Sequence, residues 1–402
     1  TSFGSMANSP NRLSGTLLSP ARIGDVNRSR VIQALCDHGP MSRADLAKMA
    51  GVTRATIGNI ASDLVDAGLV EEVELDDPGG RVGKPARPLW FAPRAGLCGA
   101  ATLAPGEATV ALVNARGEIL ERAVRTFDAD AATPGAAAEA ITSGLQRVLP
   151  RRGRVLGIGV AVPGVVDTAS GMVAGSGQLP GVAGDGLMRV LRRRLGRSVL
   201  IDNDARAQAL GEKWFGDGRG IGTFASVQTG LGLGVGLVVD GVVYRGRHGD
   251  TGELGHTCVQ IDGPRCRCGL SGCWETIATL PWLRGEAASL GIPGARTLDA
   301  GRLVALADRD EAAAALLDRY AANLAVGLAT LVQLLDPQRV ILHGDAVAGG
   351  EHFRSLIQRH LRARVLGSLA PGVDLVLSPL DQHAGLLGAA GLVLSETFSL
   401  AT

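Results

Sequence analysis

The chain has 402 residues, 46% of them hydrophobic, and a formal net charge of only +1. That length and composition fit two or three domains, each with its own core, and exclude a disordered chain; the apolar runs are short and broken by glycine, so none reads as a transmembrane helix. A balance so near zero argues neither for nor against nucleic acid, and any basic surface has to be local.

Thr1 to Ser5, ahead of Met6, read as an added remnant, and the Ser, Pro and Asn residues that follow extend a disordered leader over 1–20. A winged helix-turn-helix is expected over 21–92. From Asn27 the apolar positions Val31, Ile32 and Leu35 fall on one helical face, and Gly39-Pro40 stops the helix. Ser42 then caps a second helix, with Asp45 completing a capping box, Leu46 and Met49 facing inward, and Gly51 at its end. Thr53 opens a third helix running to Ala67, in which Ile57, Ile60, Leu64 and Val65 keep helical spacing before Gly68. This is the pattern of a helix-turn-helix whose third helix enters a major groove of operator DNA. Ser42, Arg43, Thr53, Arg54, Thr56 and Asn59 are the groups suited to phosphates and base edges there. A helical protein-interaction module is the bland alternative.

Leu69 to Val73 reads as a strand, Asp76-Asp77-Pro78-Gly79-Gly80 as an acidic turn, and the stretch through Arg81, Lys84 and Arg87 as the returning limb of a wing. Three cations on a ribbon stiffened by Gly and Pro suit the DNA backbone or a minor groove. Residues 1–92 carry ten bases and ten acids, so the signal is one of position and not of net charge. One such module makes few contacts, which implies two copies on a two-fold operator and hence a homodimer or homotetramer.

From Leu97 onward short apolar strands alternate with helical stretches, as in Thr109–Val113, Val155–Val162, Val199–Ile201 and Val340–Leu342. That alternation is α/β architecture, expected over 93–402. Asp202-Asn203-Asp204 follows an apolar strand and precedes a helix, the position at which open α/β sheets bind ligands. The glycines of Gln228 to Gly236 offer a phosphate cradle, with a plain β-turn as the equal alternative. Leu324, Leu328, Leu331, Val332 and Leu335 form a stripe that suits a core better than an interface.

Between His256 and Glu275 one loop holds His256, Cys266, Cys268 and Cys273, with Cys258 as a spectator. One imidazole and three thiolates are the ligand set of a closed, structural tetrahedral Zn2+ site. A group of ordinary buried thiols is the alternative. A disulfide is disfavoured, because six cysteines in a chain of this length without a secretory signal fit a reducing, cytoplasmic setting.

Asp202-Asn203-Asp204-Ala205, Glu253-Leu-Gly-His256 and Cys266-Arg-Cys268-Gly-Leu-Ser-Gly-Cys273-Trp-Glu275 together resemble the ROK family of repressors and sugar kinases, from Asn27 to the C-terminus. The resemblance implies a two-lobed fold of the hexokinase and actin type, its small lobe formed by about 97–208 with a returning helix at 386–400 and its large lobe by about 209–385. It also implies that Asn203, Asp204, Glu253, His256 and Glu275 bind sugar hydroxyls, and that the His and three Cys bind zinc. Carboxylates and carboxamides can pair with several neighbouring hydroxyls at once, so the residue types suit that task; solvated acids on a zinc loop are the alternative.

In the family's kinases the residue matching Asp204 is the general base and an Asp-x-Gly-Gly-Thr turn holds ATP phosphates. The matching stretch, Leu97 to Pro105, lacks that motif. Asp345, in Leu342-His343-Gly344-Asp345, is expected to face the nucleotide unfavourably, and Val182, where relatives often have Trp, to alter the cleft lip. The sequence therefore reads as a DNA-binding regulator without enzymatic activity, most simply a repressor of carbohydrate genes that responds to a sugar or sugar phosphate. An active sugar kinase carrying a DNA-binding module, and a regulator controlled by a protein partner, are the alternatives.

Overall fold

A computed structural model describes residues 20–74, 87–128, 133–151, 153–247, 249, 251–369 and 372–398. The leader up to Ser19, the acidic turn Asp76 to Gly80, and the wing residues Arg81 and Lys84 lie outside the described residues.

The N-terminal part contains α1 (Pro20–His38), α2 (Arg43–Ala50) and α3 (Arg54–Asp66), followed by β1 (Val70–Glu72) and β2 (Leu89–Phe91). The strands pair antiparallel with Val70 opposite Phe91, giving the wing its base. Ser42 and Thr53 cap α2 and α3 by accepting the backbone N–H groups of Asp45 and Thr56 at 3.2 and 3.1 Å. Of the capping box, the half from the Asp45 N–H to the Ser42 hydroxyl oxygen forms; the Asp45 carboxylate accepts the Ser42 hydroxyl at 2.6 Å in place of the Ser42 backbone N–H. Val31, Ile32, Leu35, Leu46, Ile57 and Leu64 make the core. Met49 and Val65, expected to face inward, are 51% and 39% exposed. Each adjoins a buried position, Ala50 and Leu64, and the helical turn carries it past the edge of a narrow three-helix core.

A first five-stranded sheet has the order β5-β4-β3-β6-β9. It is built from β3 (Cys98–Ala104), β4 (Glu107–Val113), β5 (Ile119–Thr126), β6 (Ile158–Val162) and β9 (Val199–Asn203). β3, β6 and β9 run parallel, joined by crossovers through α4 (Pro134–Val148) and α5 (Gly186–Leu195), with the small hairpin β7 (Val165–Asp167) and β8 (Met172–Gly175) between. Val182 sits fully buried in the core of this lobe with Leu179 and Leu187, so it packs the interior and does not shape a cleft lip.

Helix α6 (Asp204–Phe215) leads to a second five-stranded sheet of order β12-β11-β10-β13-β14. Its strands are β10 (Phe224–Thr229), β11 (Gly234–Val239), β12 (Val242–Val243), β13 (Arg339–Gly344) and β14 (Asp374–Leu377). Around it lie α7 (Leu280–Ser289), α8 (Ala300–Ala307), α9 (Glu311–Leu335) and α10 (Asp345–Arg362), the last kinked at Gly350. The apolar stripe of α9 is core: Leu324, Leu328, Leu331 and Val332 are each at most 1% exposed. By length and composition α9 is apolar enough to span a membrane, but burial of its stripe inside this lobe explains that composition.

The last helix, α11 (Ala384–Thr397), returns to the first sheet and packs on α6. The approach is backbone to backbone. A Cβ on Gly388 would stand 1.6 Å from the Ala207 carbonyl oxygen, and one on Gly211 2.2 Å from that of Ala384. Such contact leaves no side chains to slide past each other, so α6 and α11 form a rigid pair.

Candidate ligand and metal site

Asn203 ends β9 and caps α6, its side-chain oxygen accepting the Arg206 N–H at 3.0 Å. Its amide donates to the Gly164 carbonyl and to Asp204 Oδ1, both at 2.9 Å. Both amide hydrogens are thus engaged, leaving one lone pair on the side-chain oxygen for a ligand. Asp204 Oδ1 also accepts the Ala205 N–H at 2.9 Å, and Oδ2 is left over. Burial first, and repulsion from Glu253 to a lesser degree, push the Asp204 carboxyl up to about 6.

The two sequence segments pack on one strand: a Cβ on Gly236 of β11 would be 2.2 Å from the Ala205 carbonyl oxygen of α6, and one on Gly252, next to Glu253, 2.1 Å from the Val235 carbonyl oxygen of the same strand. Glu253 and His256 lie on a single 3-10 turn, and Glu275 on another, Trp274–Thr276. His256 Nε2 is 3.8 Å from Glu253, and His256 Nδ1 is 3.6 Å from Glu275. His256 thus stands between Glu253 and Glu275, and Asn203 and Asp204, at the start of α6, adjoin the same strand β11 as the Glu253 turn. Glu275 is almost buried and has one oxygen held by Arg267 at 2.7 Å; the other, Oε2, has no hydrogen-bond partner. A buried carboxylate oxygen left unpaired is costly, and a ligand hydroxyl would satisfy it.

Beneath the turn, Trp274 is fully buried, donates to the Asn323 carbonyl at 2.9 Å and lies against Gly327 of α9, where a Cβ would come within 2.1 Å of its ring. The loop is thus anchored to the large-lobe core. His256, Cys266, Cys268 and Cys273 present ligand atoms all within 4.8 Å of one another, and Cys258 is not among them. Cys268 and Cys273 sulfurs are 3.7 Å apart, as are Cys266 Sγ and His256 Nδ1. Ligands at ~2.0–2.3 Å from a tetrahedral ion stand roughly 3.5–3.8 Å apart, so these two edges fit one ion.

The glycine run has another role. Gly234 and Gly236 lie in β11, where a Cβ on Gly236 would be 2.2 Å from the Ala205 carbonyl oxygen; the glycine lets the first turn of α6 rest on the strand. Gly232 gives the same clearance to Glu275, 2.8 Å from its missing Cβ. Close packing explains these residues, not a phosphate cradle. Asp345 differs from the expectation: its carboxylate is turned into the large lobe, buried, and accepts Tyr320 Oη and the Ala300 N–H at 2.9 Å each. The stretch where a phosphate turn would stand is the plain hairpin β3–β4, closed by Pro105-Gly106 with Ala104 opposite Glu107.

Sequence reasoning missed the support under the site. Asp202 is buried, bound by Arg206 at 2.6 Å and Arg245 at 2.9 Å, and Arg206 also donates to the Val166 carbonyl at 2.9 Å. This triad ties β9 to β7 and to the loop after β12. The Asp202–Arg206 spacing of four along the strand-to-helix turn was the available signal.

Of the sequence-selected nucleic-acid groups, Ser42, Arg43, Thr53, Arg54, Thr56, Asn59 and Arg87 are among the described residues and lie on the N-terminal module. Arg54 and Asn59 are exposed on α3 and Thr56 is half-buried. Arg43 and Arg87 both reach Glu72 of β1, at 2.7 and 3.8 Å. That module also packs on the rest of the chain: Phe91 stacks on Phe398 at 6.0 Å, Phe398 meets Trp214 at 6.5 Å, and the Arg219 guanidinium lies 5.5 Å from the Trp90 ring. No local pattern in the chain announces this junction.

Comparison with known proteins agrees with this architecture. The ROK family model matches residues 99–396 and the MarR family model residues 25–81. A putative xylose repressor of Caldicellulosiruptor is 29% identical over 94% of this chain and 97% of its own length. A glucokinase of Thermotoga maritima is 32% identical over 57% of this chain and 76% of its own. The crystal structure of a ROK family transcriptional regulator, a homologue of the Escherichia coli MLC protein, superposes with a TM-score of 0.75 at 28% identity, covering 94% of this chain and 99% of that one. A MarR-type winged helix-turn-helix followed by two lobes of the actin-like type is the fold that these likenesses and the two sheets share. The chain belongs to the ROK family.

Proposed function

We propose that this protein is a cytoplasmic DNA-binding transcriptional regulator, a repressor of carbohydrate genes, whose lobe junction binds a sugar or sugar phosphate. The observation that carries the reading is the direct packing of a winged helix onto α6, the helix that begins at Asn203 and Asp204. Full-length similarity to a putative xylose repressor supports it. Asp204 Oδ2, Glu253, His256 and Glu275 Oε2 would accept or orient sugar hydroxyls, with the last lone pair of Asn203 as a further acceptor. Zn2+ would be held by His256, Cys266, Cys268 and Cys273; the ion would supply a rigid brace that holds the His256 ring between Glu253 and Glu275.

The route from site to DNA is short. α6 is twelve residues long, so roughly 18 Å separates Asp204 from the Trp214 end. Trp214 touches Phe398, which touches Phe91 on the wing strand. A sugar that prefers one lobe arrangement shifts α6 with α11, and the winged helix rides on them; equal affinity for both arrangements would shift nothing. On DNA, Arg54, Thr56 and Asn59 of α3 would meet base edges and phosphates, with Ser42 and Thr53 at the helix starts. Arg43 and Arg87 would exchange Glu72 for phosphate, since exposed pairs of that kind are worth ~0–1 kcal/mol. Arg81 and Lys84 complete the proposed wing contacts. Two copies on a two-fold operator imply a homodimer or homotetramer.

The Asp204 carboxyl, raised to about 6, favours a second reading: it is tuned as a general base, as a sugar kinase requires. The experiment is anisotropy of the full chain on DNA from upstream of its own gene, against scrambled DNA, with a hexose and pentose panel. Selective binding shifted by one sugar supports the regulator. Phosphorylation of a sugar by ATP, abolished by Asp204→Asn, would replace it with the kinase.

A further inference from the structure

The charge balance of this chain is uneven. Residues 134–200 carry nine arginines against Glu139, Asp167 and Asp185, a net of +6, so the remaining residues carry −5 of the overall +1. Topology gathers six of those arginines at one end of the first sheet. β3, β6 and β9 are parallel, so α4 and α5, which each precede the next strand, both return to the end of the sheet where those strands begin. Arg147 lies in the last turn of α4; Arg192, Arg193 and Arg194 lie in the last turn of α5; Arg151 and Arg154 lie in the loop entering β6. Backbone bonds from Leu156 to Leu97 at 2.8 Å and from Ile158 to Ser198 at 2.9 Å hold these loops side by side.

The same end carries the winged helix. Seven residue steps separate Phe91 of the wing from Cys98 of β3, a reach of at most ~25 Å. The connector is pinned down on the first lobe, with Asn114 donating to the Pro93 carbonyl at 2.8 Å and Ala115 to that of Ala95 at 3.0 Å. Helix dipoles favour cations at the ends of α4 and α5, and Glu139 and Asp185 pair with Arg194 and Arg189. Those effects leave Arg147, Arg151, Arg154, Arg192 and Arg193 exposed, with neither an ion pair nor a hydrogen bond to any described residue.

We propose that this arginine-rich end of the first lobe is a second DNA contact, which grips the phosphates flanking the operator half-site read by α3. The inference rests on the regulator reading above. DNA is the partner favoured because a duplex held by the winged helix presents one phosphate charge per ~1.7 Å of axis beside this surface. The contact carries no base recognition, so it adds affinity and salt dependence without sequence preference.

The test uses the full chain, the selected operator fragment trimmed to its core, and the same core extended by about one helical turn of arbitrary sequence on each side. The variant is Arg151→Ala/Arg154→Ala/Arg192→Ala/Arg193→Ala; its exposed, unpaired side chains should leave the melting temperature and sugar response unchanged. Each lost phosphate contact lowers the slope of log K against log salt by about 0.9. On extended DNA the variant's slope should therefore be shallower than the wild type's by about 2–4, and on core DNA the two should coincide. Equal slopes on extended DNA overturn the proposal while leaving the regulator reading intact. Loss of binding to phosphatidylglycerol vesicles with DNA slopes unchanged overturns it in favour of a membrane. A wild type that selects no DNA removes both readings together.

Discussion

Asp204→Asn should stabilise the protein at neutral pH while abolishing its response to sugar. Burial raises the Asp204 carboxyl from 3.8 to about 6, roughly two pH units, and one unit is worth about 1.4 kcal/mol, so ionised Asp204 costs about 3 kcal/mol at pH 7. The residue nevertheless keeps some solvent contact, and at the first position of α6 its charge gains ~0.3–1 kcal/mol from the helix dipole. The net gain on substitution is then about 1–2 kcal/mol. Asparagine retains Oδ1, which can still accept from Ala205 and Asn203. The sign follows from proton counting. Between pH 3.8 and 6 the folded state holds more protons at this site than the unfolded chain, so the wild type loses stability as pH rises through that window, and the variant does not. Denaturation of both proteins at pH 4 and pH 7.5 measures the difference: near zero at the lower pH, one to two kcal/mol in favour of the variant at the higher. A variant less stable at pH 7.5, or a difference independent of pH, would refute the claim that this carboxyl is desolvated when folded.

Chelation at neutral pH should lower the melting temperature by several degrees, and Cys268→Ser should lower it without further response to chelator; metal analysis should find about one zinc per wild-type chain, and unchanged melting would remove the brace. Glu253→Ala should abolish the sugar effect on DNA binding and leave basal DNA affinity within a few fold, read by anisotropy with and without sugar; collapse of basal affinity would make Glu253 a structural residue. Arg219→Ala removes the contact with Trp90, worth ~0.5–2 kcal/mol, and should weaken the coupling between sugar and DNA several-fold while each ligand alone binds as before; a normal coupling ratio would show that the signal does not pass through this junction.

What the sequence disclosed and what it hid divide along a physical line. Cap and stop residues act locally, so Ser42, Thr53 and Gly51 marked their helices to within a residue. Spaced metal-ligand types also announce themselves, and His256 with the three cysteines needed only the loop to close. Directions failed where they depended on what packs nearby. Asp345 adjoins the strand end where a nucleotide would sit, yet Tyr320 of α9, distant in sequence, draws it inward. Gly234 and Gly236 had the spacing of a phosphate loop, but α6 lies close enough to require them for clearance. Val182 was invisible as a core residue because its neighbours come from α5 and the preceding turn.

The junction between the winged helix and the lobes was the least legible part, and it is where the proposed regulation operates. Phe398, Trp214, Phe91 and Trp90 are few aromatics in a chain that has only 3% of them, scattered over three hundred residues. Nothing local distinguishes them from ordinary core positions. Their meeting makes Ser395, Phe398 and the end of α6 one unit: Trp214 donates to Ser395 Oγ at 2.9 Å, and Ser29 of α1 donates to the Phe398 carbonyl at 3.3 Å. The C-terminal helix is thereby fastened both to the helix that begins at the ligand residues and to the first helix of the DNA-binding module. A displacement of α6 against the second sheet cannot leave α11 behind, because their backbones are in contact at Gly211 and Gly388. It follows that a side chain added at Gly388 would do more than destabilise: by prising α11 from α6 it would separate ligand site from winged helix, and sugar would bind without changing the affinity for DNA.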